Sequence, residues 1–224
     1  MGNEKAILDN DKVRWTLTIF LGMLVLFWRV LLPTNFEITT GMVILVAVLD
    51  LGLTGAIVYI NRKELKELLI KKFTIKDFGN ILLWYCIMMI TTAIANVLGV
   101  SAYVGITGIE AISPAPAEWV AQQFQMIFPL GIFISTVIAA PIWEEITFRM
   151  AGRNLIKNSI LFVLITSLLF SFIHTVNFSI IDNLPYFIFG VAMCLIYLKT
   201  NDLRLLIGVH AMSNLVGFIL FYLV

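Results

Sequence analysis

The sequence predicts an all-α fold, a polytopic membrane bundle of about seven transmembrane helices with its N-terminus in the cytoplasm. Three observations predict it. The 224 residues are 60% hydrophobic and only 13% charged, too apolar for a soluble domain. Apolar stretches follow one another along the chain, most of them long enough to cross about 30 Å of hydrocarbon at about 1.5 Å per helical residue. The Lys and Arg residues fall almost entirely on one side of a seven-span arrangement, which the positive-inside rule makes cytoplasmic.

Lys5, Lys12 and Arg14 precede the first stretch, roughly 15–32. No short apolar region ends in a small-residue cleavage site, so this stretch reads as a retained anchor. Arg29 lies near its outer end, where it can snorkel. The second stretch, 41–61, carries Asp50 midway. Arg62, Lys63, Lys66, Lys71, Lys72 and Lys76 follow it, interleaved with Leu65, Leu68, Leu69 and Phe73 at helical spacing. That pattern predicts an amphipathic helix on the cytoplasmic surface within Asn61–Gly79. The third stretch is 79–101. Gly105, Gly108, Pro114 and Pro116 predict a loop over 102–124, with Trp119 as an interfacial anchor.

The fourth stretch, 125–148, is followed by Arg149, Arg153 and Lys157, and the fifth is 159–177. The sixth, 184–199, is short, and Lys199 and Arg204 flank the loop before the seventh, 204–224. The opposite loops hold Glu37, Glu110, Glu118 and Asp182 and no Lys or Arg. Cys86 and Cys194 both fall in apolar stretches and read as small buried hydrophobes, not as a disulfide framework. No repeat, linker or soluble appendage interrupts the chain, so residues 1–224 read as one integral membrane domain. The lipid bilayer is the expected surrounding, and no nucleic-acid partner is expected.

The informative residues are polar groups inside these stretches. A carboxylate in hydrocarbon costs several kcal/mol and needs a partner, a hydrated cavity or a proton. One such group often serves as structural glue, but Glu144 and Glu145 are adjacent in the run Ala140-Pro141-Ile142-Trp143-Glu144-Glu145. Glu145 and Arg149 stand i,i+4 with the acid first, the favourable order for a helical ion pair. Glu144 points about 100° away, and burial disfavours its charge, which suits a general base. Gly131, Ser135 and Ala139 form a small-residue face for close packing. Pro141 removes a backbone donor and frees the carbonyl of Val137, predicting a kink with local hydration just before the glutamates.

His174 and His210, the only histidines, lie in the fifth and seventh stretches. His174 follows Phe170 by four residues, and His210 precedes Asn214 by four, on one helical face. A hairpin turning near Lys157–Ser159 brings Glu144 and His174 to the same depth, about 20 Å from the turn. His210, six residues past Arg204, reads as too shallow to join them. Peptide hydrolysis needs an activated water, a stabilised oxyanion and a proton for the leaving amine. Glu144 with His174 fits the first role, His210 and Asn214 the second, and Glu145 with Arg149 positions the first acid. Ser171 and Ser213 lie near the histidines, but no Asp is evident to orient a Ser-His-Asp triad.

Glu144-Glu145-x-x-x-Arg149, Phe170-x-x-x-His174 and His210-x-x-x-Asn214, in that order, resemble the motifs of the CPBP family of intramembrane proteases. That family includes the type II CAAX prenyl endopeptidases and bacterial bacteriocin-processing and immunity (Abi-like) proteins. Ala140-Pro141-Ile142 and Phe148 also match its first motif, while Met150 stands where a Gly is common. The resemblance covers about 130–218. It implies an all-helical intramembrane endopeptidase, with Glu144, Glu145, His174, His210 and Asn214 at catalytic positions and Arg149 supporting them, and the Ile-, Phe-, Lys- and Asn-rich composition points to a bacterial cell membrane. A peptide or membrane-protein substrate is implied: a bacteriocin, a leader or a signal peptide, processed for maturation or self-immunity.

The family is often labelled metallopeptidase, and a metal-free, glutamate-activated water is also proposed for it. Zinc or another divalent metal would take Glu144, His174 and His210, although the His-Glu-x-x-His helix of zincins is absent. Two other function classes fit the same composition. Intramembrane Glu and His with Asp50 could build a proton-coupled transporter. A non-catalytic bacteriocin immunity protein would bind a partner without hydrolysis.

Overall fold

The computed structural model describes residues 10–31, 39–108, 129–175 and 179–223, excepting the side chains of 25–31 and 67–69. Every regular element among them is helical: α1 Asp11–Leu31, α2 Thr40–Ile60, α3 Arg62–Ile70, α4 Ile75–Thr107, α5 Pro129–Leu155, α6 Ser159–Thr175, α7 Ile180–Thr200 and α8 Leu203–Leu223. Five of these, α2, α4, α5, α7 and α8, are long and apolar enough to cross a membrane. Their outward faces carry large exposed apolar side chains such as Leu45, Ile90, Leu98 and Leu195. The chain is therefore an integral, multi-pass membrane protein. The seven-span count and the orientation rest on the sequence.

Helix α5 is the axis of the bundle. Its most apolar window is 67% buried, against 17% for α4 and for α8. α2 covers its first half, α1 its second half, and α8 runs against its length. α6 lies along α7, and α4 packs on the outside against α7 and α8. The small face expected on α5 is buried at Gly131, Ser135 and Ala139, where α2 approaches.

Several boundaries differ from expectation. The loop expected from residue 102 starts later, because α4 continues through Gly105 and stops at Gly108, whose φ of 67° ends the helix in the left-handed conformation. Its start is a capping box: the Asp77 N–H donates to Thr74 Oγ1 and the Thr74 N–H to Asp77 Oδ2. Pro114, Pro116 and Trp119 lie outside the described residues, as do Glu37, Glu110, Glu118 and the Arg29 side chain. α7 begins at Ile180, with Ser179 as its N-cap, so Asp182 belongs to a helical first turn and not to a loop. Cys86 is exposed on α4, not buried; Cys194 is buried, and both are free thiols.

Two basic residues that read as flanking charges are inside the fold. Arg14 is buried within α1, paired with Asp11 and with Glu64 of α3. Nearby, buried Asn61 donates to Thr18 Oγ1 at 2.9 Å and to the Ile57 carbonyl at 2.8 Å. These bonds pin the α2–α3 elbow to α1. α3 turns Leu65 inward, as an amphipathic helix should, while Phe73 lies beyond its end and is exposed. Arg149, expected just past the fourth stretch, is fully buried because α5 runs on to Leu155.

Candidate active site

The backbone of α5 departs from α-helical register on both sides of its acids. Phe133–Ala139 and Glu145–Ala151 are π-helical, and Ala140–Glu144 between them is α-helical. The Ala140 N–H bonds the Ser135 carbonyl, and the Gly152 N–H reaches back to Thr147, both five residues away. Single π turns inside α-helices recur at functional sites. Here they bracket Pro141 and place the two glutamates at a change of register.

Glu145 is an anchor. Its Oε1 accepts from Arg149 Nη1 at 3.1 Å and lies 2.8 Å from His210 Nδ1. Arg149 also reaches the Gly190 carbonyl at 3.5 Å and sits 4.7 Å from the centre of the Phe170 ring. This one ion pair therefore ties α5 to α6, α7 and α8. Glu144 faces the histidines. Its Oε2 lies 3.9 Å from His174 Nε2 and 3.7 Å from His210 Nε2.

The far nitrogen of each ring has its own acceptor. His174 Nδ1 is 2.7 Å from the Phe170 carbonyl, which can only accept, so Nδ1 carries the proton. His210 Nδ1 meets the Glu145 carboxylate in the same way. Both Nε2 atoms are thereby turned toward Glu144, with their tautomers set by the groups behind them. Glu144 and His210 are almost wholly buried, whereas the His174 side chain is 25% exposed. The site opens on the His174 side.

Residues 126–216 match the model for type II CAAX prenyl endopeptidase Rce1-like proteins. A relative, UPF0177 protein YaiH of Lactococcus lactis subsp. lactis (strain IL1403), is 36% identical over 105 residues, 46% of this chain and 43% of that protein. The match thus spans less than half of the relative's length. No solved structure matches the chain.

Within the matched stretch 126–216, five of the six expected site residues meet: Glu144, Glu145, Arg149, His174 and His210. The expectation that His210 is too shallow is overturned. α8 sets in at Leu203, capped by Asp202, and α5 has only eleven residues left after Glu144, about 16 Å of helix. Asn214 goes elsewhere. Its Nδ2 donates to the Thr136 carbonyl at 2.7 Å, eight residues ahead of Glu144. Ser171 donates to the Asn183 carbonyl at 2.6 Å, so its hydroxyl proton is directed to α7.

Sequence reasoning missed the contribution of α7. His174 lies between Phe170 and Tyr186, with ring centroids 4.3 and 4.7 Å away, and Phe189 stands 5.1 Å from His210. Ser171 and Thr175 both hydrogen-bond Asn183, tying the end of α6 to the start of α7. Gly190 permits the closest approach: an added Cβ would lie 3.0 Å from Ser167 Cα. The signal is present as Tyr186, Phe189 and Gly190 at helical spacing, but nothing in the sequence says which neighbour such a face meets.

A carboxylate and two imidazoles form a donor set that zinc accepts. Among the described residues, however, no group of three or more His, Cys, Asp or Glu side chains is arranged so that it could hold a metal ion.

Proposed function

We propose that this protein is an intramembrane endopeptidase in which Glu144 and His174 activate a water for attack on a peptide bond. One observation carries the reading: Glu144 Oε2 lies within 4 Å of Nε2 of both His174 and His210, which come from two different helices. Groups this costly in a bilayer are retained where they do chemistry. The peptidase name of the matched family supports the same reading.

In the proposed reaction a water held between Glu144 and His174 gives its proton to Glu144. Its oxygen attacks the carbonyl carbon of the scissile bond. The negative charge moves to the carbonyl oxygen, then returns as the C–N bond breaks, and Glu144 passes the proton to the leaving nitrogen. Protonated on Nδ1 alone, His210 accepts at Nε2; protonated on both nitrogens, it can donate to the oxyanion. Glu145 and Arg149 hold His210 and touch no reacting atom.

The proposed substrate is a peptide or membrane-anchored chain that enters beside His174. Two classes are compared: a prenylated C-terminal peptide and an unprenylated leader- or bacteriocin-like peptide. The test uses purified protein in lipid nanodiscs with both peptides, analysed by mass spectrometry. Cleavage of either is expected, and loss of Glu144 in Glu144→Gln or of His174 in His174→Ala should slow it at least about 100-fold with the fold kept. Full activity in either variant would sink the assignment. Zinc dependence is read in the same assay: activity lost to a chelator and restored by zinc would bring in the metal route.

A further inference from the structure

We propose that Asn214 is a positioning residue for Glu144, holding α5 in register by supplying the hydrogen bond that Pro141 withholds. The inference deepens the peptidase reading and rests on it only for its activity arm.

Backbone hydrogen bonding identifies the acceptor. In the first π segment the Ala140 N–H bonds the Ser135 carbonyl, five residues back. One step further in that register, residue 141 would serve the Thr136 carbonyl. Residue 141 is proline and has no N–H. The orphaned acceptor is therefore Thr136, and not Val137 as α-helical spacing predicts. A carbonyl inside a bilayer must find a donor within the protein. The Thr136 hydroxyl is engaged elsewhere, donating to the Ile132 carbonyl at 2.8 Å. Asn214 Nδ2 supplies the bond at 2.7 Å from another helix.

The consequence reaches the reacting groups. α8 holds α5 at two points on opposite sides of Pro141, through Asn214 at Thr136 and through His210 at Glu145. Glu144 lies between them. A slip of one residue in the register of α5 would swing Glu144 by about 100° and carry its carboxylate away from both histidines. Asn214 thus keeps the general base aimed without touching it.

A double-mutant cycle tests this. Pro141→Ala restores an N–H to residue 141, so α5 can satisfy its own carbonyls in either register and the Asn214 bond becomes redundant. Asn214→Ala in the natural background should lower the unfolding temperature by at least about 2 °C, as expected for a buried acceptor losing its donor. It should also lower kcat while leaving KM nearly unchanged. In the Pro141→Ala background the same substitution should cost less than half as much in both measurements. Equal losses in the two backgrounds would overturn the proposal and leave Asn214 a plain oxyanion donor. Should Asn214→Ala fail to fold alone, recovery of a folded protein on adding Pro141→Ala supports the proposal, and no recovery overturns it. If the natural protein cleaves no peptide, the peptidase reading fails, while the unfolding temperatures still decide the role of Asn214.

Discussion

Helices α4 and α5 are both apolar and both long, yet they are opposite kinds of membrane helix. α4 is 33 unbroken α-helical residues, capped at each end by its own sequence and mostly facing outward. α5 is 27 residues in alternating α and π register, deeply buried, with two buried glutamates and a buried arginine along it. Lipid offers no hydrogen bonds, so a lipid-facing helix must satisfy every backbone group within itself. A helix surrounded by protein can depart from that rule, because neighbouring side chains can make good what it loses. Irregular backbone and buried charge therefore fall on the same helix.

Arg149→Met strains this contrast most. It leaves Glu145 buried without its cation, and such a loss typically costs about 3–5 kcal/mol. The expected result is a fall of roughly 10 °C or more in the unfolding temperature in detergent. A fall near 1 °C would mean that the pair is replaceable and that α5 resembles α4 after all. Gly190→Ala is the next test, at the α6–α7 crossing behind the site. The added methyl meets the backbone of Ser167, which cannot swing aside, so a loss of about 1–3 kcal/mol is expected from thermal unfolding. Gly105→Ala on α4 has the smallest expected effect. No atom lies within 4 Å of the new methyl, so a gain of about 0.5–1 kcal/mol from helix propensity is expected. Destabilisation there would reveal a neighbour packed on α4 in the membrane.

Much of the site is legible in the amino-acid sequence. The Glu145–Arg149 pair follows from i,i+4 spacing and is observed. Glu144 with His174 follows from a hairpin of two apolar stretches and is observed at 3.9 Å. The role of Asn214 is not legible there. Helical spacing puts it on the face of His210 but shows neither that α5 is π-helical before Pro141 nor that the Asn214 amide reaches the Thr136 carbonyl. The depth of His210 is not legible either: only seven residues past the start of α8 at Leu203, its ring still lies 2.8 Å from Glu145 Oε1, because the relative height of α5 and α8 is set by their packing. The further contacts of Arg149, with the Gly190 carbonyl and the Phe170 ring, come from other helices and are not legible in its spacing to Glu145.

Composition and a fixed rise and turn per residue suffice for the all-helical membrane class, for the polar residues that hydrocarbon would not tolerate without a reason, and for the pairs that lie within one helix. Three features belong to the tertiary structure instead: where α5 changes register, which carbonyl the Asn214 amide reaches, and the supply of aromatic walls for the two histidines from α7. These depend on what stands across the gap between helices. A π turn costs helical regularity and persists only where another helix supplies what it leaves unsatisfied, and no local pattern in the chain records that neighbour.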